Sequence, residues 1–287
     1  MAMADLDIHE PGDLAEAFRL LRAPDGAARP MGGGTALMLM MKAQLFKPSA
    51  LVSLAKVDPR FHGVELSADG ASFSIGAMTT FAELEHHADL CARFPVIAQT
   101  MVTLANPRVR NVATIGGNLA HADPHLDLPP VWASLDAEVS VIGPQGERRF
   151  PVIDLFAGYY ETTLQPGELI MRLHAPVQQG WRRRYVKVTT RSAHDWPAIG
   201  ITIGVNMNSA QCEDLRLILS AATDRPTRLV EAEAILRGQN ITDDVLAAAG
   251  AAAASEVHIQ TDSRGSSDYK AHLLSVHLKR ALHDLCE

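Results

Sequence analysis

The chain has 287 residues, 47% of them hydrophobic, and a formal net charge of -7. That length and apolar content suffice for one large domain or two modest ones. The acidic balance gives no electrostatic footprint for nucleic acid or an anionic lipid surface, so small-molecule chemistry or protein partners are expected.

The first residues, Met1-Ala2-Met3-Ala4-Asp5, have neither the basic start nor the apolar core of a secretory signal, and no twin-arginine pair. The most apolar runs, 36–41 and 245–254, fall far short of the ~20 residues that cross a bilayer. A cytoplasmic protein without membrane insertion is expected. The cysteines Cys91, Cys212 and Cys286 are widely separated and in no Cys-x-x-Cys spacing. A standard iron–sulfur cluster takes four thiolates, so they read as free thiols in a reducing compartment.

Leu14, Ala17, Phe18 and Leu21 repeat at helical spacing behind Asp13, and Asp25-Gly26 should break that helix. A short strand at 29–31 then feeds Met31-Gly32-Gly33-Gly34-Thr35-Ala36-Leu37, a glycine loop that opens an apolar helix. A helix N-terminus behind such a loop is an anion site. Met38, Met40 and Met41 read as adaptable core packing. Residues 50–54 form a strand, 71–77 a half-buried one, and Thr80-Phe81-Ala82-Glu83 is a capping box opening a helix toward Phe94. Pro95 starts another helix, which ends near Asn106-Pro107.

The chain is organised around Thr114-Ile115-Gly116-Gly117-Asn118. Two adjacent glycines let the backbone turn with its N–H groups outward, and Thr114 and Asn118 flank that nest with side-chain donors. A diphosphate fits such a site, and two glycine nests suggest a two-sided clamp on one dinucleotide. His121, Asp123, His125 and Asp127 follow at every second position; on a strand they would share a face, but Pro124 interrupts it and no metal site is expected.

Residues 133–137 complete a short helix, and 138–142 and 148–151 form a hairpin around Pro144-Gln145-Gly146. Trp181, Arg183, Tyr185 and Lys187 alternate on one strand, Ile199, Ile201, Ile203, Val205 and Met207 on the next, and Leu215, Leu217 and Leu219 on a third. An antiparallel meander with one buried face is expected. Helices follow at 228–237 and 243–254, and a final helix from about Ser266 should bury Tyr269, Leu273, Val276 and Leu282.

The wording at the two glycine sites resembles the flavoprotein subunit of the molybdenum hydroxylases, the group of carbon monoxide dehydrogenase, xanthine dehydrogenase and their bacterial relatives. In that family a Gly-Gly-x-Ser/Thr-Leu loop leads into a helix ending Met-Met-Lys. A later run, Ile-Arg-Asn-x-x-Thr-Ile-Gly-Gly-Asn-Leu-Ala-His-Ala-Asp-Pro, closes over the same FAD diphosphate. The matching residues are 33–37 with Met40-Met41-Lys42, and 109–124. Gly167-Glu168-Leu169-Ile170 and the 264–270 run also resemble the family's wording, so the resemblance spans nearly the whole chain.

The resemblance implies an α+β flavoprotein. An FAD-binding domain of the vanillyl-alcohol-oxidase/PCMH type takes 1–176, in lobes of about 1–56 and 57–176. A C-terminal α+β domain, 177–287, has a three-stranded antiparallel sheet and helices. The implied diphosphate contacts are Met31, Gly32, Gly33, Gly34, Thr35, Ala36 and Leu37 with Thr114, Ile115, Gly116, Gly117 and Asn118. Asp127 is placed at the ribose, Ala120, His121 and Ile170 toward the flavin, and Leu104 among the cofactor contacts. Lys187 is placed at its pyrimidine edge, where a fixed cation stabilises the anionic reduced ring.

No histidine or cysteine stands in the glycine loops, so the FAD is expected to be noncovalent. The implied role is electron transfer, with no catalytic residue on this chain. A large molybdenum-cofactor subunit oxidises the substrate, a small subunit with two [2Fe-2S] clusters passes electrons, and the FAD hands them to NAD, a quinone or oxygen. A dimer of heterotrimers is implied. The segment 191–196 departs from the charged loop of the xanthine dehydrogenase group and says little about NAD. Two rival readings stand beside this one: a self-contained FAD-dependent oxidase or reductase on the same fold, and a flavin-free scaffold subunit.

Overall fold

The computed structural model describes residues 6–22 and 28–286; the readings at 1–5 and at Asp25-Gly26 lie outside them. The chain opens with β1 (Asp7–His9), α1 (Leu14–Leu21), β2 (Ala28–Met31), α2 (Thr35–Lys42) and β3 (Ala50–Ser53). Asp13 caps α1 by accepting from the Glu16 N–H. The three strands form a parallel sheet in the order β1-β3-β2, and the central β3 is buried along its whole length. A strand buried along its whole length suits a sheet covered on both faces.

A second lobe contains β4 (Val64–Leu66), β5 (Ser72–Gly76), six short helices, the hairpin β6 (Glu138–Gly143) and β7 (Gly146–Pro151), the small pair β8 (Phe156–Gly158) and β9 (Glu161–Thr162), and β10 (Leu169–Pro176). Its antiparallel sheet runs β4-β5-β10-β6-β7. The helices are α3 (Phe81–His86), α4 (Ala88–Arg93), α5 (Pro95–Met101), α6 (Pro107–Arg110), α7 (Ile115–His121) and α8 (Leu128–Ser134). The Thr80/Glu83 capping box is present. The helix it opens stops at His87, however, whose own ring accepts from Leu90 N and starts α4.

The third sheet holds β11 (Trp181–Val188), β12 (Ile199–Asn208) and β13 (Gln211–Ser220), as expected, plus a two-residue edge strand β14 (Thr227–Arg228). Against it lie α9 (Val230–Leu236) and α11 (Ser267–Cys286), with α10 (Asp243–Ser255) packed on both helices. The expectation of one buried face fails for β12, where residues 199–205 are all buried. Ile199, Ile201, Ile203 and Val205 enter the helical core. The other face carries Gly200, Thr202 and Gly204, small enough for α8 of the preceding domain to pack there.

The final helix also differs from its reading. Tyr269 is 48% exposed, and the buried stripe is Lys270, Leu274, Leu278, Ala281 and Leu282. Of the residues expected inside, Leu282 is buried; Lys270 can be buried because Asp262 pairs with it at 2.8 Å. The methionines of α2 differ too: no residue of this helix is buried, and Leu39 is 66% exposed.

Candidate functional site

The first glycine loop links β2 to α2. Gly34, at φ +69°, is the N-cap of α2 and needs the left-handed freedom of glycine. At Gly33 a Cβ would lie 1.8 Å from the Val112 carbonyl oxygen, and at Gly32 2.6 Å from Thr114 Oγ1. The two motifs therefore touch through atoms that only glycine leaves free. Among the described residues, none of the backbone N–H groups of 32–37 has an acceptor within the chain. Six successive free donors at a helix start form a preorganised anion cradle.

The second motif corrects the nest reading. Residues 115–121 form α7, and Gly116 and Gly117 sit in its first turn with ordinary negative φ. Their donors point inward: Ile115 N–H to Thr79 O at 3.0 Å, Gly116 N–H to Ala77 O at 2.7 Å, and Gly117 N–H to Thr114 Oγ1 at 3.2 Å. Gly116 is small because a Cβ would meet that of Ala77 at 2.5 Å. The motif thus supplies a wall for the cradle. Among the described residues Asn118 Oδ1 is buried without a partner, and such an acceptor calls for a donor.

Residues 103–112 run from this wall to the domain interface. Arg110 pins the segment, donating from Nη1 to Leu104 O and Ala105 O at 3.0 and 3.1 Å while Nε bonds Glu85 Oε2 at 2.9 Å. Ala105 takes φ +50° there. Leu104 is buried, as are Thr114 and Ile115, and Ile170 is buried beside the irregularity where β10 pairs with β6.

At the far end of the segment, Lys187 Nζ donates to Thr103 O at 3.1 Å and pairs with Asp127 Oδ2 at 2.9 Å. Tyr185, two residues earlier on the same face of β11, donates from its hydroxyl to Asp127 Oδ1 at 2.7 Å. Burial pushes the Asp127 carboxyl above its ordinary range, opposed by the Lys187 charge and the Tyr185 bond. The resemblance placed Asp127 and Lys187 at separate parts of a cofactor. The structure joins them, so a ligand that engages one acts on both. Of the three ammonium hydrogens, two have acceptors; among the described residues the third has none.

His121 ends α7 and faces Tyr160, with ring centroids 5.2 Å apart. Burial lowers its pKa, and Asp123 at 3.9 Å opposes this. Ala120 is exposed. The alternating residues 121–127 do not form a strand: Asp123 accepts from His125 N and Nδ1, each at 2.9 Å, and from the Tyr160 hydroxyl at 2.9 Å. Tyr185, Arg110 and Glu85 were not singled out from sequence. Their partners lie 58 and 25 residues away, beyond any local spacing signal.

A row of free backbone donors closed by a second glycine segment, with a buried lysine in the following domain, marks an α+β protein with an anion-binding loop. Family models for the FAD binding domain in molybdopterin dehydrogenase and the CO dehydrogenase flavoprotein C-terminal domain match residues 4–178 and 184–285. The chain belongs to this family, the FAD-binding subunits of the molybdenum hydroxylases. It is 30% identical to the carbon monoxide dehydrogenase medium chain of Afipia carboxidovorans, over 98% of this chain and 97% of that one. It is 25% identical to the xanthine dehydrogenase FAD-binding subunit of Escherichia coli O157:H7, covering 96% and 94%. Among solved structures, carbon monoxide dehydrogenase from Hydrogenophaga pseudoflava superimposes with a TM-score of 0.93 at 30% identity, over 99% of this chain and 98% of that one. The protein is therefore an oxidoreductase subunit with FAD as its cofactor.

Proposed function

We propose that this chain carries the FAD of a heterotrimeric molybdenum hydroxylase, receiving electrons from [2Fe-2S] clusters on a small subunit and delivering them to NAD, a quinone or oxygen. The observation that carries the reading is the row of free N–H donors at 32–37, closed by the contact of Gly32 and Gly33 with residues 112–114. These donors, with Thr114 and the Asn118 side-chain amide N–H, would hold the diphosphate; Leu104 and Ile170 would line the flavin pocket, and Lys187 would set the charge beside the ring.

The bound flavin supplies conversion between one-electron and two-electron transfer. The chain binds and orients it, keeps water from its buried side and sets the charge around it. The organic substrate is oxidised on the large molybdenum-cofactor subunit, so no side chain here acts on it. A dimer of heterotrimers, a cytoplasmic location and a domain boundary at Val177 complete the proposal. Among the described residues no helix is long and apolar enough to cross a membrane.

The test is a visible spectrum of the purified complex, with heat release of flavin and metal analysis. FAD together with iron and molybdenum in one stable complex supports the reading. FAD on the isolated chain with turnover of a small substrate would favour the self-contained oxidase or reductase. No flavin after reconstitution would leave only a scaffold.

A further inference from the structure

The hydroxyl of Tyr185 has no part in the cradle, yet it ends on the carboxylate that holds Lys187. The chain of contacts runs Tyr185 Oη to Asp127 Oδ1 at 2.7 Å, and Asp127 Oδ2 to Lys187 Nζ at 2.9 Å. The lysine side chain is 8% exposed and the aspartate side chain 9%. At that burial each charge acts strongly on whatever lies beside it. Room for the phenol is built in: a Cβ at Gly200 would lie 2.8 Å from Tyr185 Oη and 2.4 Å from Ser220 Oγ. Two residues of β11 therefore grip one carboxylate of the preceding domain, one at each oxygen.

We propose that Tyr185 is a positioning residue: by fixing Asp127 and drawing off part of its negative charge, it sets how much of the Lys187 charge reaches the flavin, and thereby the flavin's reduction potential. This rests on the flavin reading above. The physics fixes the sign. A donor on Asp127 disperses the anion, so the carboxylate offsets less of the ammonium, and a cation beside the ring favours its reduced, more negative form. Without the phenolic hydrogen, Asp127 offsets more of Lys187, and the potential falls.

The experiment uses the complete complex and compares Tyr185→Phe with the parent. Flavin occupancy is read from absorbance, and the two-electron midpoint potential from a redox titration with indicator dyes. Tyr185→Phe keeps its FAD and shifts the potential downward by about 30 mV or more, a tenfold change in the equilibrium. Lys187→Met falls further, because it removes the cation itself. An unchanged potential in Tyr185→Phe at full occupancy overturns the inference. FAD lost from Tyr185→Phe alone would make Tyr185 a binding residue and also overturns it. FAD absent from the parent complex instead removes the flavin reading. As a second route, Asp127→Asn makes the potential indifferent to Tyr185→Phe; a shift that persists in that background counts against the chain of contacts.

Discussion

At Gly33 the neighbour that a methyl group would meet, the Val112 carbonyl at 1.8 Å, is backbone, so no side-chain rotation relieves the clash. Gly33→Ala must push the two loops apart, and we expect FAD affinity to weaken by at least about tenfold, ~1.4 kcal/mol; flavin retained through gel filtration reads this directly. Gly117, which the sequence presents as equally important, is exposed and would meet only Thr114 Oγ1. Asp123 gives a pH-dependent case. Burial raises its carboxyl, but the bonds from His125 and Tyr160 outweigh this and hold it below the ordinary value of 3.8. A carboxyl lowered in the folded state adds stability that is complete above its unfolded pKa and lost as pH falls through the folded value. Asp123→Asn should therefore cost about 2 kcal/mol near neutrality. The gap from the parent should close below pH ~4, as urea unfolding at several pH values will show.

In β12 the small residues decide how two domains fit. Gly200→Ala would place a methyl against Ser220 Oγ and the Tyr185 ring and hydroxyl. Overpacking of this kind typically costs about 1–3 kcal/mol, seen as a lower urea midpoint at unchanged slope. The strict alternation from Ile199 to Val205 was readable in sequence because a strand's period is short and its buried face faces its own helices. The burial of the opposite face was not, since the covering helix α8 is fixed by long-range packing. The same limit explains α7: Gly-Gly read alone permits a left-handed nest, whereas Thr114 as cap and Ala77 and Thr79 as acceptors draw it into a helix. The Thr80/Glu83 box was legible because both partners lie within one turn. The site followed the same division: the first glycine loop and Lys187 carry local wording, while Tyr185 and Arg110 act through contacts that wording does not encode.

Across the whole molecule the two cores are not separate. Ile218 of β13 belongs to the core of the preceding domain, α5 and α8 pack on the third sheet, and Asp127 is held by two residues of β11. We expect a single unfolding transition, with near-UV circular dichroism, flavin release and calorimetry coincident; two resolved transitions would show that the interface is weaker than its burial implies. All seven residues of α8, Leu-Pro-Pro-Val-Trp-Ala-Ser, are buried, and Trp132 is fully enclosed. This helix belongs to the cofactor-binding half but is roofed by the other. Anyone wishing to transplant the flavin site as a free-standing module, or to fuse it to another redox protein, would lay bare an apolar ridge that invites aggregation. The natural cut is therefore no cut at all: the last third of the chain must travel with the first two, or α8 must be resurfaced before the excised half is expressed.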